Sequence, residues 1–194
     1  CACPVYVNAR GLAIAREQAF DLPRFRQISP GDEVRVGSLT VRAYASRHCF
    51  YDRPILRQTV RRAARPDHLH EGLMLERQNL QFRIDLRRDV LAYEVIEGEK
   101  HVFLLGSANC RNDVACPAHM DLLVYPYQGR SDMLSYSLGL LSRFSPRRVM
   151  LDHFDDAFPP VSARMDCAPF VRMAAKRFPG VEVFTPVEQA FYEV

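Results

Sequence analysis

The stretch that decides the fold is residues 120–152, MDLLVYPYQGRSDMLSYSLGLLSRFSPRRVMLD. Its first part, Met120–Tyr127, has the length and composition of a buried strand. Asp132–Phe144 has helical spacing and ends at a Ser-Pro pair, and Arg148–Asp152 is a second apolar strand. On the C-terminal side, the alternation continues with a predicted helix and a predicted last strand. A chain that alternates strands and helices in this way is expected to form an α/β layered fold.

The flanking segments extend the pattern in both directions. The predicted C-terminal helix is Ser162–Phe178, and the last strand is Val181–Thr185. Two hairpins are predicted upstream, each with a Gly-containing turn between alternating runs. Their strands are Glu33–Val36 with Leu39–Ala45, and Asp89–Glu97 with Lys100–Gly106.

The remaining segments give weaker signals. Pro4–Asn8 favours a short strand and Gly11–Phe20 a helix. Residues 49–88 are rich in Arg and carry little periodicity, so only Thr59–Arg65 is predicted there, as a helical turn or two. The chain has 194 residues and no linker or repeat, so we expect residues 1–194 to form one domain.

Composition excludes several classes of protein. Hydrophobic residues make up 48% and charged residues 25%, which excludes a disordered chain, a collagen-like repeat and a coiled coil. No apolar run approaches the roughly 18 residues that span a bilayer. The net charge of +3 does not by itself indicate nucleic-acid binding. Six cysteines without a CxxC pair, and no signal-peptide pattern, predict a cytoplasmic location.

Three predicted strands end in polar residues that could carry chemistry. His48 follows the strand that starts at Leu39, Ser107 follows Lys100–Gly106, and His153 follows Arg148–Asp152. Strand ends hold loops on a rigid sheet, and we expect these three ends to share one edge. Histidines at two strand ends, with carboxylates beside one of them, are candidate metal ligands.

The order of these segments resembles the metallo-β-lactamase superfamily, and within it the branch of metal-dependent hydrolases like ascorbate-6-phosphate lactonase. Each matching stretch is short, but their order and spacing together carry the resemblance, which covers most of the chain except residues 49–88. The stretches are PVYVNARG (4–11), PGDEVRVGSLTVRAYASRH (30–48), HVFLLGS (101–107), DLLVYPYQG (121–129) and RRVMLDHFDDAFPP (147–160).

The resemblance implies a four-layer αββα sandwich, of which this chain would form the C-terminal portion without the N-terminal strands. It also implies a site with two metal ions, often zinc and sometimes manganese or iron. In that pattern His48 and His153 look like metal ligands. Asp155 or Asp156 would then orient His153 or shuttle a proton.

Two departures from the family pattern limit what this chain could do alone. Ser107 stands where the family has the Asp that bridges the metals, and the HxHxDH motif, expected before residue 4, is absent. A catalytic zinc typically needs about three protein ligands, and the pattern supplies two. Asn109, Cys110 or Asp113 could compensate for the serine. We therefore expect this chain alone to bind a divalent metal weakly or not at all, and to be inactive.

Two functional hypotheses follow. The first is a metal-dependent hydrolase in which a metal-activated water attacks an ester, lactone or phosphoester of a small-molecule substrate. The second is a catalytically degenerate binding or assembly module marked by Ser107. A sheet without its N-terminal strands would expose an edge and an apolar face, so a second copy or the missing segment is expected to cover it. Membranes and nucleic acid are not expected as partners.

An arginine row stands apart from these candidates. Arg57, Arg61, Arg62 and Arg65 recur at helical spacing and would share a face. The simpler interpretation is a solvated face or salt bridges with a partner. The alternative is contact with an anionic substrate or a nucleic acid, since guanidinium groups bind phosphate well.

Overall fold

A computed structural model describes residues 3–83, 85, 87–110, 112, 113, 115–155, 159 and 162–193. The strands in this part of the chain are β1 Val5–Val7, β2 Phe25–Gln27, β3 Glu33–Val36, β4 Leu39–Arg47, β5 Leu91–Glu97, β6 Lys100–Leu104, β7 Asn109–Cys110, β8 Leu122–Pro126, β9 Arg148–Asp152 and β10 Glu182–Phe184. The helices are α1 Ala9–Glu17, α2 Arg53–Ala63, α3 Leu69–Phe82, α4 Met133–Phe144 and α5 Ala168–Arg177, with a short 3-10 helix at Leu22–Arg24.

Most strands belong to one mixed sheet in the order β10-β9-β8-β6-β5-β4-β3, and β7 pairs with the end of β4. Neighbours from β10 to β6 are parallel, and neighbours from β6 to β3 are antiparallel. Strands β1 and β2 form a separate parallel pair. A mixed sheet with helices packed on it confirms the predicted α/β layered fold.

The two faces of the large sheet are buried to different extents. On one face Leu123, Tyr125, Val149 and Leu151 are at most 1% exposed beneath α4 and α5. Each such side chain contributes roughly 1.5–3 kcal/mol through its burial. Successive residues of a strand point to opposite faces. On the other face Val124 and Met150 are half-buried, while Leu122 and Pro126 are buried. The helix-covered face of the sheet is therefore fully buried, and the other face is partly exposed.

A buried polar cluster ties the central strands together. The Glu94 carboxylate, 2% exposed, accepts hydrogen bonds of 2.7 Å each from the Tyr44 hydroxyl and from His101 Nδ1. The backbone N–H of His101 donates to Asp121 Oδ2 at 3.0 Å, and Arg147 pairs with Asp121 Oδ1 at 3.2 Å. The hydrogen bond from His101 lowers the pKa of Asp121 most, despite opposing desolvation. This cluster lies at the start of β6 and β8, away from their carboxyl ends.

Residues 49–88 contain more helix than predicted. Instead of a turn or two at Thr59–Arg65, the chain forms the whole of α2 and α3. Asp52 begins α2, because its Oδ1 accepts the Ile55 N–H at 3.0 Å. Neither helix buries any residue completely. The apolar residues of α3 do not gather on one face, so its amphipathic pattern is weak, whereas α2 is clearly amphipathic.

Helix α5 and strand β2 also differ from the prediction. Helix α5 begins at Ala168 and not at Ser162. At this start the Asp166 carboxylate accepts the Ala168 N–H at 3.0 Å, and Pro169 lies in the first turn. Strand β2 was not predicted, because three residues are too few for a period to be visible and its partner β1 is distant in sequence. Among the described helices, none combines the length and apolarity needed to cross a membrane.

Candidate functional site

The carboxyl ends of β4, β6, β8 and β9 lie along one edge of the sheet. Strands β6, β8 and β9 are parallel, and β4 runs with them because two antiparallel pairings separate it from β6. The loops that follow carry His48, Ser107, Gln128 and His153. Ligand sites of α/β proteins lie outside the carboxyl ends of strands, so this edge is the candidate site.

His48 is half-buried and has one ring nitrogen engaged. Its Nδ1 lies 2.7 Å from the carbonyl oxygen of Cys49, and the Tyr51 ring packs edge-to-face against it at 5.9 Å. A carbonyl oxygen can only accept, so Nδ1 carries a proton, and in the neutral ring the free lone pair is on Nε2. Metal-binding histidines commonly use this arrangement, in which a backbone carbonyl fixes the tautomer and the ring orientation.

Ser107 fastens the loop after β6 to the loop after β4. Its hydroxyl, on a residue 7% exposed, accepts the Cys49 N–H at 2.8 Å. The preceding Gly106 allows this, because a Cβ there would collide with the Leu91 carbonyl oxygen. Ser46 adds a second link by donating to the Asn109 carbonyl at 2.8 Å. Ser107 therefore has a structural partner, and a neutral hydroxyl in this position does not supply a bridging carboxylate.

His153 lies on the exposed side of the same edge. Its backbone is in the left-handed region, with φ of 51°, and its N–H donates to Asp152 Oδ1 at 2.7 Å. Gln128 Nε2 donates to the Asp155 carbonyl at 3.1 Å, so Asp155 is held through its backbone while its side chain is exposed. Asp156 lies outside the described residues. The proposed roles of both aspartates stay predictions.

The loop after β8 packs directly on the loop after β4. A Cβ on Gly129, which has φ of 109°, would lie 3.4 Å from Cys49 Sγ and 3.4 Å from the Tyr51 ring. Burial raises the pKa of the Cys49 thiol to about 11, so this cysteine is neutral at pH 7 and poorly suited as a nucleophile or a metal ligand.

Hydrogen bonds to Asp52 reinforce the contact between these two loops. Asp52 Oδ2 accepts the Ser131 N–H at 2.7 Å and the Ser131 hydroxyl at 2.6 Å. Although desolvation opposes it, hydrogen bonding from Ser131 and Ile55 lowers the pKa of Asp52. Arg130 forms a two-pronged pair with Asp132 at 2.6 and 2.9 Å. These contacts were not predicted, although Asp52 before an Arg-Pro pair is a helix-start signal.

The described residues do not by themselves form a metal centre. His48 presents an oriented ring nitrogen, whereas the Ser107 hydroxyl is engaged. Within this part of the chain, no three His, Cys, Asp or Glu side chains are grouped closely enough to hold a metal ion, and no hydrogen bond or ring contact joins His48 to His153. A zinc site needs about three protein ligands, so these residues do not complete one.

Comparison with solved structures identifies the fold. The chain is similar to the metallo-β-lactamase fold protein YhfI from Bacillus subtilis, at 12% identity and a TM-score of 0.53, over 94% of this chain and 61% of that protein. It is similar to Zn²⁺-bound PqqB from Methylobacterium extorquens, at 13% identity and a TM-score of 0.52, over 95% of this chain and 64% of PqqB. A mutant of the β-hydroxylase CmlA from Streptomyces venezuelae matches at 12% identity and a TM-score of 0.50, over 93% of this chain and 38% of CmlA.

These similarities confirm the predicted fold and leave the reaction open. No protein-family model and no curated protein matches the sequence. The chain spans less than two thirds of the length of each of these three structures. The chain therefore has a metallo-β-lactamase-like fold. Proteins that share a fold can catalyse different reactions, so the function has to be inferred from the site.

Proposed function

We propose that this chain contributes His48 and His153 to the metal centre of a metal-dependent hydrolase with the metallo-β-lactamase fold. The observation that carries the proposal is the orientation of His48, whose Nδ1–H donates to the Cys49 carbonyl at 2.7 Å. This bond leaves Nε2 as the ligating atom, on a residue at the edge where β4, β6, β8 and β9 end. The remaining ligands would come from outside the described residues.

In this proposal each residue has a defined task. His48 and His153 supply two nitrogen ligands, and Asp152 positions the His153 backbone through its 2.7 Å hydrogen bond. Asp155 or Asp156 would orient the His153 ring or move a proton. A bound divalent ion would lower the pKa of its water toward 7.

The finer assignments are also proposals. We propose zinc as the metal, with manganese or iron as alternatives, and the similarity to Zn²⁺-bound PqqB supports this order. The proposed substrate is a small ester, lactone or phosphoester, as in the ascorbate-6-phosphate-lactonase branch. Composition and cysteine usage favour the cytoplasm as its location.

Cobalt titration of the purified chain tests the proposal, because Co²⁺ absorption reports the ligands directly. Two histidines should give weak binding, and His48→Ala and His153→Ala should each weaken it at least tenfold. His70→Ala is the matched control, since His70 is exposed on α3 and should leave binding unchanged. Equal binding by all four proteins would contradict the assignment of these ligands. Two tightly held ions per chain would move the site to other residues.

A degenerate binding or assembly module is the second candidate. It is favoured by the engagement of the Ser107 hydroxyl with the Cys49 N–H, where the family pattern has a bridging carboxylate. The substitution Ser107→Asp separates the two candidates. In a hydrolase portion, the added carboxylate should tighten cobalt binding at least tenfold, without creating hydrolysis. In a degenerate module, cobalt binding should be absent before and after the change.

A further inference from the structure

One surface of α2 forms an open groove in which four of the six lining residues are arginines. The groove encloses about 400 Å³ and is lined by Pro54, Arg57, Gln58, Arg61, Arg62 and Arg65. Residues 53–65 contain five arginines and no acidic residue. Those five charges exceed the net charge of the whole chain, which is +3. Positive charge is therefore concentrated on this helix, which a total count of basic residues does not reveal.

Two of the lining guanidinium groups are already held in place. Arg62 is half-buried, and its Nη1 donates to the Ser162 carbonyl at 2.5 Å, which ties α2 to the segment that precedes α5. Arg65 forms a two-pronged pair with Asp67, at 3.1 and 3.0 Å. These contacts fix the far end of the groove.

The other two guanidinium groups have no such partner. Arg57 and Arg61 are exposed and lie one helical turn apart, and within the described part of the chain neither forms a hydrogen bond or an ion pair. Like charges four residues apart destabilise a helix by roughly 0.2–0.5 kcal/mol. The groove thus brings together positive charge that the described residues leave unneutralised.

We propose that this groove binds a ligand carrying two or more phosphate charges. A guanidinium matches the geometry of a phosphate group with two parallel N–H donors, and Arg57 and Arg61 present two such forks side by side. Gln58 lies between them on the lining and offers an amide donor. A phosphate ester and the phosphodiester backbone of a nucleic acid share this chemistry. The proposal requires no metal and is independent of the proposed hydrolase function.

Calorimetric titration in the presence of a chelator tests the proposal with two probes, pyrophosphate and a ten-nucleotide oligothymidylate. Arg57→Glu/Arg61→Glu should weaken binding of the preferred probe at least tenfold. Arg16→Glu/Arg35→Glu is the control, because both arginines are exposed and lie off α2, and the net charge changes equally. The control should change binding by less than twofold. Arg57→Gln/Arg61→Gln, checked by circular dichroism, repeats the test without charge reversal.

The two probes distinguish the sources of phosphate. Tighter binding of pyrophosphate than of the oligonucleotide would identify the ligand as a small phosphate ester. Tighter binding of the oligonucleotide, weakening steeply between 50 and 200 mM salt, assigns a nucleic-acid strand. The proposal is overturned if neither probe binds, if the Arg57/Arg61 variants bind like the unmodified chain, or if the control loses as much affinity as Arg57→Glu/Arg61→Glu.

Discussion

The Ser107 hydroxyl accepts a hydrogen bond of 2.8 Å from the backbone N–H of Cys49. The carbonyl of the same Cys49 accepts from His48 Nδ1 at 2.7 Å. One residue thus connects the candidate ligand His48 to the loop after β6. The position that the resemblance assigns to a metal-bridging carboxylate holds a serine that bonds the same residue as His48 does.

Ser107→Ala should destabilise the fold by about 1–3 kcal/mol, because it leaves the N–H of the buried Cys49 without an acceptor. Urea denaturation at pH 7 measures the loss. Ser142→Ala is the control: Ser142 is exposed on α4, its hydroxyl bonds the Leu138 carbonyl of its own helix, and its removal should stay within about 0.5 kcal/mol. Equal losses in the two variants would show that the Ser107 bond contributes nothing specific.

Gly106→Ala and Gly139→Ala should have opposite effects on stability. A Cβ on Gly106 would collide with the Leu91 carbonyl oxygen, so the loop after β6 must shift at a cost of about 1–3 kcal/mol or more. A Cβ on Gly139, in the middle of α4, would meet nothing within 4 Å, and helix propensity should stabilise that variant by about 0.5–1 kcal/mol. The free energy of unfolding of each variant, compared with that of the unmodified chain, tests both effects. A neutral Gly106→Ala would mean that the loop has room to move.

Asp121→Asn should destabilise the fold more at pH 7 than at pH 3. The pKa of Asp121 is lowered in the folded state, first by the hydrogen bond from the His101 N–H and then by His119. A carboxyl group with a depressed pKa stabilises the fold above its unfolded value of about 4 and loses that contribution as the pH falls through the folded value. At pH 7 the difference should be about 1–3 kcal/mol, as for hydrogen bonds to charged groups.

Urea denaturation at pH 7, 5 and 3 follows this difference. Glu99→Gln provides a comparison, since Glu99 is exposed in the turn between β5 and β6 and should matter little at any of these values. A constant difference for Asp121→Asn across the three pH values would rule out the ionised carboxylate as its cause.

The sequence predicted the elements whose apolar pattern is local. Strand β9 has the predicted bounds Arg148–Asp152, and β4 ends next to His48 as expected. Helix α2 was predicted only in part, as a turn or two at Thr59–Arg65, and α3 was not predicted, because the apolar residues of α3 do not gather on one face. Leu56, Val60 and Leu80 are exposed, at 51, 57 and 66%, so both helices add little to the core.

The candidate site was predictable only where it depends on strand ends. The pattern of polar residues after apolar runs predicted that the strand ends next to His48 and His153 share one edge of the sheet, and they do. The bond from Cys49 to Ser107 joins loops 58 residues apart, and the bond from Ser131 to Asp52 joins loops 79 residues apart. Such pairs depend on how closely two loops approach, and no spacing along a single chain encodes that approach.

The backbone of His153 is in the left-handed region, with φ of 51°. In engineering this protein, a gain in stability at position 153 therefore conflicts with keeping its imidazole. A side chain with a Cβ is strained in this region by roughly 1 kcal/mol or more, and glycine is not. A library randomised at position 153 and sorted only for survival of heating should therefore return glycine, followed by asparagine. Selection for robustness alone would erase the imidazole, so a thermostabilised version must hold position 153 fixed and gain its stability elsewhere.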